Sequence, residues 1–385
     1  MTNYDVVIIG AGASGLWAGR IALGRGKRVA FLEMGKRPAR KVAISGGGHC
    51  NITNADANYI RYFGKNPDFV RSALSVLAPS DVLNWARMHN LSFYEKTSGR
   101  FFCKNGASAV VDALMNDVRG ADFFWETNVS NVKKENDFFF TETNQGVFKS
   151  NAVIVATGGT SFESTGVSDT GFKIAKSFGH KIIPVRPALC ALAFKYFPSE
   201  FSGISVPAKI KIGSDTIVDD LLFTHFGIGG PATYRASVRD IKDGIYINIV
   251  PDIDLLKVLG DAKHLNGRKK LSTTLADFLP VRIAKWAAGE NDKNIADLNK
   301  ETINTVVKQV QNIFIPIENI KYHSLISAEV IRGGIDTHDI SSKTMESKIC
   351  RGLFFAGEVI DIAGDLGGFN LHWAWASGHA AGTHA

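Results

Sequence analysis

The chain has 385 residues, of which 45% are hydrophobic and 21% are charged, and its formal net charge is +7. A chain of this length is too long to fold around one ordinary hydrophobic core, so two or three domains are expected. The composition is that of a soluble protein, and the sequence contains no membrane-spanning run and no secretory signal. We therefore expect a cytoplasmic protein, and because its Lys and Arg residues are spread along the chain, nucleic acid is a disfavoured partner.

The first predicted element is a buried strand over residues 6–9, followed by a glycine-rich turn and a helix of small residues. In a GxGxxG turn, the first glycine allows the tight turn, the second lets a pyrophosphate approach the backbone, and the third lets the helix pack on the sheet. The turn contains Gly10, Gly12, Ala13, Ser14 and Gly15. Glu33 ends the next predicted strand, 23 residues after Gly10, where a carboxylate accepts hydrogen bonds from a ribose diol. The pattern predicts a bound dinucleotide with free ribose hydroxyls.

A second glycine-rich segment lies at residues 44–54, where three consecutive glycines are flanked by Ser, His, Cys, Asn and Thr. Such a segment makes a poor helix and a poor strand, but its backbone can lie against a flat ligand. A flexible surface turn is the alternative interpretation. The short polar side chains and Cys50 favour an ordered binding loop.

The following elements complete a first domain. Helices are predicted over 67–90 and 107–118, and a second buried parallel strand over 151–159 ends in a Thr-Gly-Gly turn where a backbone passes close to a cofactor. Between them, three short strands are predicted to form an antiparallel meander. These strands are placed at 122–126, 129–134 and 137–143.

Residues 191–321 differ in character from the residues before them. They are predicted to form an inserted domain that is β-rich over 191–250 and helical over 253–312. Such an insertion usually carries substrate recognition above a cofactor domain. His225 lies within it, in the segment Phe-Thr-His-Phe-Gly.

The C-terminal segment returns to the pattern of the first domain. A predicted strand ends at Gly357 and Glu358, and a pair of glycines at 367–368 precedes a helix predicted over 371–381. The amide donors and positive dipole of a helix N-terminus suit an electron-rich group such as a reduced flavin. The sequence therefore predicts FAD, held by a discontinuous domain of residues 1–190 and 322–385.

Five ordered motifs resemble one bacterial flavoprotein family, the BaiN-like or aminoacetone-oxidase-type NAD(P)/FAD-dependent oxidoreductases. The motifs are residues 44–51, 156–159, 223–227, 344–348 and 357–361. The resemblance implies an α/β fold: a Rossmann-like FAD-binding domain of the glutathione-reductase type, with a parallel sheet and an antiparallel β-meander, and an inserted β-rich and helical domain. The chain departs from the family pattern at His49, where the family has Arg, at Gly229, usually Ser, and at Cys103, commonly Pro.

Carried over by position, the resemblance and the motifs imply a set of FAD contacts that runs from the first strand to the last helix. Besides the glycine-rich turn, these contacts are Glu33, Met34, Lys41, Ser45, Gly46, Gly47, Asn51, Thr157, Gly158, Gly159, Gly357, Glu358, Asp361, Gly368, Phe369, Asn370 and Leu371.

The leading hypothesis is an FAD-dependent oxidoreductase that transfers hydride at flavin N5 to or from a small-molecule substrate. FAD is expected to bind non-covalently, and NAD(P)H is one candidate electron donor, although no second GxGxxG follows a strand in the 160–330 region. His49, Cys50 and His225 are the candidates for proton transfer or substrate orientation. The widely spaced cysteines predict neither a disulfide framework nor a metal site. The alternative is a flavoprotein associated with tRNA or RNA modification, or a non-catalytic flavin-binding protein.

Overall fold

A computed structural model describes residues 3–161 and 168–385 of the chain. The protein divides into two units, the first formed by residues 1–188 and 325–385 and the second by residues 189–324. Its helices are α1 (Ala13–Gly24), α2 (Arg40–Ile44), α3 (Arg71–Val76), α4 (Pro79–Met88), α5 (Ala107–Asp117), α6 (Thr170–Ser177), α7 (Gly230–Ser237), α8 (Leu255–Leu265), α9 (Leu271–Leu275), α10 (Val281–Ala288), α11 (Lys300–Gln311) and α12 (Phe369–His384).

The strands cover both units. They are β1 (Asn3–Ile9), β2 (Val29–Leu32), β3 (Asn51–Asn54), β4 (Tyr62–Phe63), β5 (Phe93–Lys96), β6 (Arg100–Cys103), β7 (Asp122–Phe124), β8 (Val129–Glu135), β9 (Phe138–Thr143), β10 (Gly146–Val155), β11 (Ile182–Ala188), β12 (Leu192–Ala193), β13 (Ser205–Ile212), β14 (Asp215–Thr224), β15 (Gly227–Gly229), β16 (Gly244–Asn248), β17 (Ile313–Pro316), β18 (Lys321–Tyr322), β19 (Val330–Ile335), β20 (Leu353–Phe355) and β21 (Ala363–Gly364).

The first unit is built on a sheet of order β7-β2-β1-β10-β9-β8, with β20 beside β10. Its centre is parallel: β1 pairs with β2 and β10, and β10 pairs with β20. The apolar residues of β1 and β2 are buried on both faces, as expected for a parallel sheet covered by helices. The Rossmann-like α/β fold predicted from the sequence is confirmed.

The antiparallel meander consists of β8, β9 and β10. The prediction that the strand at 122–126 belongs to it is wrong, because β7 pairs in parallel with β2. The cause is the preceding helix: α5 returns the chain so that β7 lies parallel to β2, and the ring of Phe123 stacks on Phe31 with centroids 4.6 Å apart. The stretch thus extends the Rossmann sheet.

Helix α12, at the C-terminus, packs against α1, the first helix of the chain. It packs along α1 through small residues, since a Cβ at Gly378 would lie 2.4 Å from the carbonyl oxygen of Ser14 and one at Gly382 would lie 2.3 Å from that of Ala18. Contact this close between helix backbones requires glycine. The first and last helices of the chain are therefore in direct backbone contact.

The second unit has its own core and its own sheet, of order β17-β16-β13-β14-β15-β12-β18. Helices α8 to α11 lie between β16 and β17 in the chain, and β17 then pairs antiparallel with β16. The chain thus leaves this sheet for a helical segment and returns to it.

Within residues 3–161 and 168–385, no helix is long and apolar enough to cross a membrane.

Candidate dinucleotide-binding site

The glycine-rich turn between β1 and α1 has the form that a phosphate loop requires. A Cβ at Gly10 would lie 2.5 Å from the carbonyl oxygen of Ala156, and one at Gly15 would lie 2.0 Å from that of Gly10. A Cβ at Gly12 would meet nothing within 4 Å. Gly10 and Gly15 are thus fixed by neighbouring backbone, while Gly12 borders open space at the N-terminus of α1, where amide donors and the helix dipole favour an anion.

Glu33 lies directly after β2, beside the same turn. Its Oε2 accepts the backbone N–H of Ala11 at 2.8 Å, and its Oε1 accepts that of Gly35 at 2.7 Å. A carboxylate offers about four lone-pair positions, so roughly two remain for the hydroxyls of a ribose. Arg40 lies 3.6 Å from Oε1, and Met34 follows half-buried. Glu33 both holds the turn and fits the ribose role predicted for it.

Ser45–Gly48 forms one short turn of 3-10 type at the end of α2. Gly46 and Gly47 have φ values of 58° and 65°, in the left-handed region that favours glycine. A Cβ at Gly47 would meet nothing within 4 Å. The backbone here is ordered in shape and open on one side, which fits a surface for a flat ring.

Asn51 connects this loop to the N-terminus of α12. In the orientation that satisfies both groups of its amide, the side-chain oxygen accepts from Gly368 N at 3.1 Å and the nitrogen donates to the Thr53 carbonyl at 3.1 Å. Helix α12 begins at Phe369, two residues before the predicted start. Two segments separated by some 300 residues of sequence are therefore adjacent.

The first turn of α12 offers backbone donors more than side chains. Phe369 is buried, its ring edge-on to Tyr62 with centroids 6.3 Å apart, so what it can present to a ligand is its N–H. Asn370 uses its amide to bridge Gly364, accepting from its N–H at 2.8 Å and donating to its carbonyl at 3.0 Å. Leu371 is half-buried.

A carboxylate network fixes the segment after β20. Lys41 Nζ lies 2.8 Å from Glu358 Oε2, and the same carboxylate accepts from Ile331 N at 3.0 Å and from Ser161 Oγ at 3.2 Å. It also accepts from Gly159 N at 3.3 Å. Glu358 therefore holds together α2, the turn after β10 and strand β19.

The remaining predicted contacts surround the phosphate loop. Thr157 is half-buried, and a Cβ at Gly158 would come no closer than 3.9 Å to any atom, so the turn after β10 is open on the side of that glycine. A Cβ at Gly357 would lie 2.5 Å from Ser14 Oγ. Asp361 is buried and accepts from the backbone N–H of Lys65 and of Gly333, so it braces the backbone.

The three candidates for proton transfer have different surroundings. His49 is exposed at the end of the 3-10 turn. Cys50 is fully buried, and burial raises the pKa of its thiol to about 12, so it stays protonated at neutral pH. His225 belongs to the second unit, exposed in the turn between β14 and β15, with its ring against Phe226. His49 and Cys50 therefore lie at the end of the glycine-rich loop that could hold the flavin ring, whereas His225 lies in the second unit.

Ser161 is a member of the site that the sequence pattern did not indicate. It lies 2.9 Å from Lys41 Nζ and contacts Glu358, but its position two residues after the Thr-Gly-Gly turn is unremarkable in sequence. The motif at 344–348, by contrast, is a structural corner: Ser347 Oγ accepts from the N–H groups of Ile349 and Cys350 and lies 2.8 Å from His180 Nε2.

The residues present fit FAD. The open Gly12, the available positions on Glu33 and the open left-handed backbone at Gly47 would hold, respectively, the pyrophosphate, the adenosine ribose and the ring. The N-terminus of α12, held beside the ring loop by Asn51, would face the electron-rich edge of the ring.

This fold and loop define a Rossmann protein of the dinucleotide-binding class. Residues 4–384 match the family described as HI0933-like protein Rossmann domain, and the chain belongs to this family of flavoprotein oxidoreductases. The predicted resemblance is confirmed.

Curated relatives that match nearly the whole chain include two with different names. The ribosomal RNA dihydrouridine synthase of Escherichia coli (strain K12) is 34% identical over 391 residues, which cover 99% of this chain and 97% of the relative. The 3-dehydro-bile acid delta(4,6)-reductase of Clostridium scindens is 27% identical over 406 residues, which cover 98% of each chain.

Among solved structures, 3-ketosteroid delta1-dehydrogenase from Sterolibacterium denitrificans, in complex with 1,4-androstadiene-3,17-dione, matches with a TM-score of 0.53 at 11% identity. The match covers 100% of this chain and 99% of that one. At this identity, it shows a shared fold alone.

Proposed function

We propose that this protein is an FAD-dependent reductase that converts a uridine of ribosomal RNA to dihydrouridine. The observation that carries the proposal is the 34% identity, over 99% of the chain, to a relative named ribosomal RNA dihydrouridine synthase. From the sequence alone, a small molecule was the leading substrate and RNA the alternative. The proposal makes RNA the leading substrate.

The names of the two relatives describe reactions of the same kind, the reduction of a carbon–carbon double bond conjugated to a carbonyl group. Dihydrouridine differs from uridine by two hydrogens across C5 and C6, a double bond conjugated to the C4 carbonyl. A delta(4,6)-reductase of a 3-dehydro bile acid likewise saturates double bonds in a ring system that carries a ketone. Both reactions add hydride to an electron-poor carbon and a proton to its neighbour, so one flavin site suits either substrate.

In the proposed reaction, uridine C6 gains a hydride and C5 gains a proton, which together account for the two electrons and two hydrogens taken up. Bound FAD would supply the hydride chemistry, and NAD(P)H is the proposed source of the electrons. Gly12 and the N-terminus of α1 would bind the pyrophosphate of FAD, and Glu33 would bind its ribose.

His49 is the proposed holder of the proton for C5. It is exposed at the end of the ring-binding loop, and an imidazole is a common general acid towards a substrate placed against such a loop. Cys50 is a weaker candidate because its thiol is fully buried. We infer that Cys50 supports the loop by packing.

The test is complementation of an Escherichia coli strain that lacks its relative. Ribosomal RNA from cells expressing this protein is digested to nucleosides and dihydrouridine is measured by mass spectrometry. The proposal predicts that wild type restores the nucleoside and that the Gly12→Val variant, designed to exclude FAD, does not. Purified holoprotein with NADPH should repeat the reaction on ribosomal RNA from the deletion strain. A yellow holoprotein that NADPH bleaches but that forms no dihydrouridine in either assay would contradict the RNA substrate.

A second candidate is reduction of a small cyclic enone, favoured by the 27% identity to the bile-acid reductase. The same holoprotein is reduced anaerobically and mixed with a 3-oxo-4-ene steroid. Reoxidation of the flavin with formation of the saturated ketone, and none with ribosomal RNA, would favour this candidate over the first.

A further inference from the structure

The sheet of the second unit exposes two adjacent aromatic rings. Tyr246 on β16 lies directly opposite Phe314 on β17, with ring centroids 4.6 Å apart and planes at 34°. Their exposed fractions are 46% and 42%. The neighbouring Ile245, Ile247 and Ile313 point to the other face and are buried in the core. The alternation thus places aromatic rings where a sheet face normally carries polar residues.

Two lysines continue the same face onto the next strand. Lys211 on β13 lies opposite Tyr246, and Lys209 lies opposite Asn248. Across the described residues, neither ammonium group is engaged in a hydrogen bond or an ion pair. On the far side, Val218 of β14 is opposite Lys209 and is 54% exposed. The face therefore combines two unpaired cations with apolar surface.

The acidic residues of this sheet lie away from the rings. Asp219 points to the opposite face, 3.6 Å from Arg235, and Asp215, at the start of β14, lies 3.2 Å from Arg239. Asp220 shares the face, two residues along β14 from Val218, which is opposite Lys209, and four residues from Thr216, which is opposite Lys211. At about 3.3 Å per residue, these separations are roughly 7 and 13 Å along the strand. Among the charged side chains of the strands, Lys211, directly opposite Tyr246, is therefore the nearest to the rings on this face.

We propose that the surface formed by Lys209, Lys211, Tyr246 and Phe314, here called the β16–β17 face, binds a single-stranded segment of the RNA substrate. This inference rests on the proposed function. Aromatic rings on an open sheet stack on unpaired bases, and neighbouring lysines neutralise the phosphates. The spacing suits this arrangement, since adjacent strands lie about 4.8 Å apart and put Phe314 and Lys211 roughly 10 Å from each other.

The experiment measures binding of the full-length, FAD-loaded protein to a fluorescently labelled single-stranded RNA of 12 nucleotides. The double variant Tyr246→Ala/Phe314→Ala should bind roughly 5- to 150-fold more weakly for each base that loses its ring. Tyr246→Phe, which keeps the ring, should bind like wild type. Phe278→Ala removes a ring that is 36% exposed on the helical part of the same unit, and it is the matched control.

The lysines are tested through salt dependence. Lys209→Gln/Lys211→Gln should reduce the slope of log K against log salt concentration by about 1.4, the value for two phosphate contacts to a single strand. Lys257→Gln/Lys300→Gln removes the same charge from α8 and α11 and should leave the slope unchanged. Far-UV circular dichroism and the urea midpoint of each variant report that the second unit is folded.

Three results would overturn the inference. If wild type binds the RNA and restores dihydrouridine while the ring variant binds equally well, the β16–β17 face is not the RNA site and the proposed function stands. If sedimentation shows that the ring variant converts a dimer to a monomer without changing RNA affinity, the occupant is a second copy of the chain. If wild type neither binds RNA nor forms dihydrouridine in the complementation assay, the proposed function fails and this inference fails with it.

Discussion

Gly12 and Gly15 are three positions apart, but their surroundings are opposite. Gly12 has φ −82° and ψ −170°, an extended conformation open to any residue, and its missing side chain leaves room for a ligand. Gly15 is closed against the backbone of Gly10. Gly12 therefore leaves room for the proposed cofactor, whereas Gly15 is required by the packing of the turn against α1.

Substitution separates the two roles. Gly12→Val should fold, because its Cβ meets nothing within 4 Å, and should retain little flavin because the side chain occupies the place of the pyrophosphate. Gly15→Ala should destabilise the protein by about 2 kcal/mol, because its Cβ would lie 2.0 Å from a carbonyl oxygen. The measurements are the flavin-to-protein absorbance ratio and the urea midpoint of the flavin-free protein. Normal flavin content in Gly12→Val would refute the assignment of the phosphate loop.

Local sequence indicates which single residues are candidates for the site, but it does not indicate their partners. Lys41 and Glu358 were each predicted near FAD, but their ion pair joins positions 317 apart and has no local signal. Ser161 was missed for the same reason. Spacing in sequence specifies turns and helix starts, whereas a side-chain network depends on the tertiary fold that brings its members together.

At the scale of elements, the buried parallel strands were predictable because their composition reflects burial on both faces. The strand predicted at 122–126 shows that local sequence does not determine which strand is the pairing partner. Its length and its proximity to two true meander strands favoured antiparallel pairing, but the partner is selected by the α5 crossover and by the stack of Phe123 on Phe31. Strand β17 was likewise not predicted, since its partner β16 precedes it by some 65 residues in the chain.

Because α1 and α12 are in close contact, replacing a glycine of α12 by alanine should change the stability in the direction opposite to that expected from helix propensity. Replacing glycine by alanine inside a helix ordinarily stabilises it by up to about 1 kcal/mol. Gly378→Ala should instead destabilise the protein by about 2 kcal/mol, because the added Cβ would lie 2.4 Å from Ser14 O. Flavin affinity should fall as well, since α12 also holds the turn at Gly357 through Ser377 Oγ and Trp373 Nε1.

Gly260→Ala is the matched control for this helix contact. Gly260 lies inside α8, where a Cβ would meet nothing within 4 Å, so alanine there should stabilise by up to about 1 kcal/mol. Urea unfolding of both variants gives the comparison. Equal stabilisation of the two would show that α1 and α12 are not in backbone contact.

At the scale of the whole molecule, residues from both ends of the chain pack together in the first unit, where the imidazoles of His180 and His372 are buried and that of His379 is half-buried. The Nε2 of His372 on α12 donates to the Leu77 carbonyl at 3.1 Å, so in the neutral imidazole Nδ1 accepts from Thr53 Oγ1 at 2.9 Å. Burial lowers the pKa of His372 to about 4, although the Leu77 carbonyl and nearby Asp81 act in the opposite direction. Burial also lowers the pKa values of His180 and His379. These groups therefore couple stability to pH.

The sign follows from the proton bound in each state. Above pH 6.5, His372 is neutral whether the chain is folded or unfolded. Between pH 6.5 and about 4, the unfolded chain binds a proton that the folded protein excludes, so the free energy of unfolding falls with falling pH, by about 3 kcal/mol for this group. Below the folded pKa, the loss levels off. His180 and His379 add losses in the same direction.

His372→Gln removes the titrating group and keeps a donor for Leu77. At pH 7.5 the variant should be less stable than wild type by about 1 to 2 kcal/mol, from lost packing and the lost contact with Thr53. Toward pH 4 its deficit should shrink and reverse, because only wild type loses the His372 contribution. Urea midpoints at half-unit pH steps give the two curves, with His264→Gln, at an exposed position on α8, as the control. Parallel curves for wild type and His372→Gln would mean that His372 is protonated equally in the folded and unfolded chain, and the buried contact of α12 with β3 and Leu77 would have to be rejected.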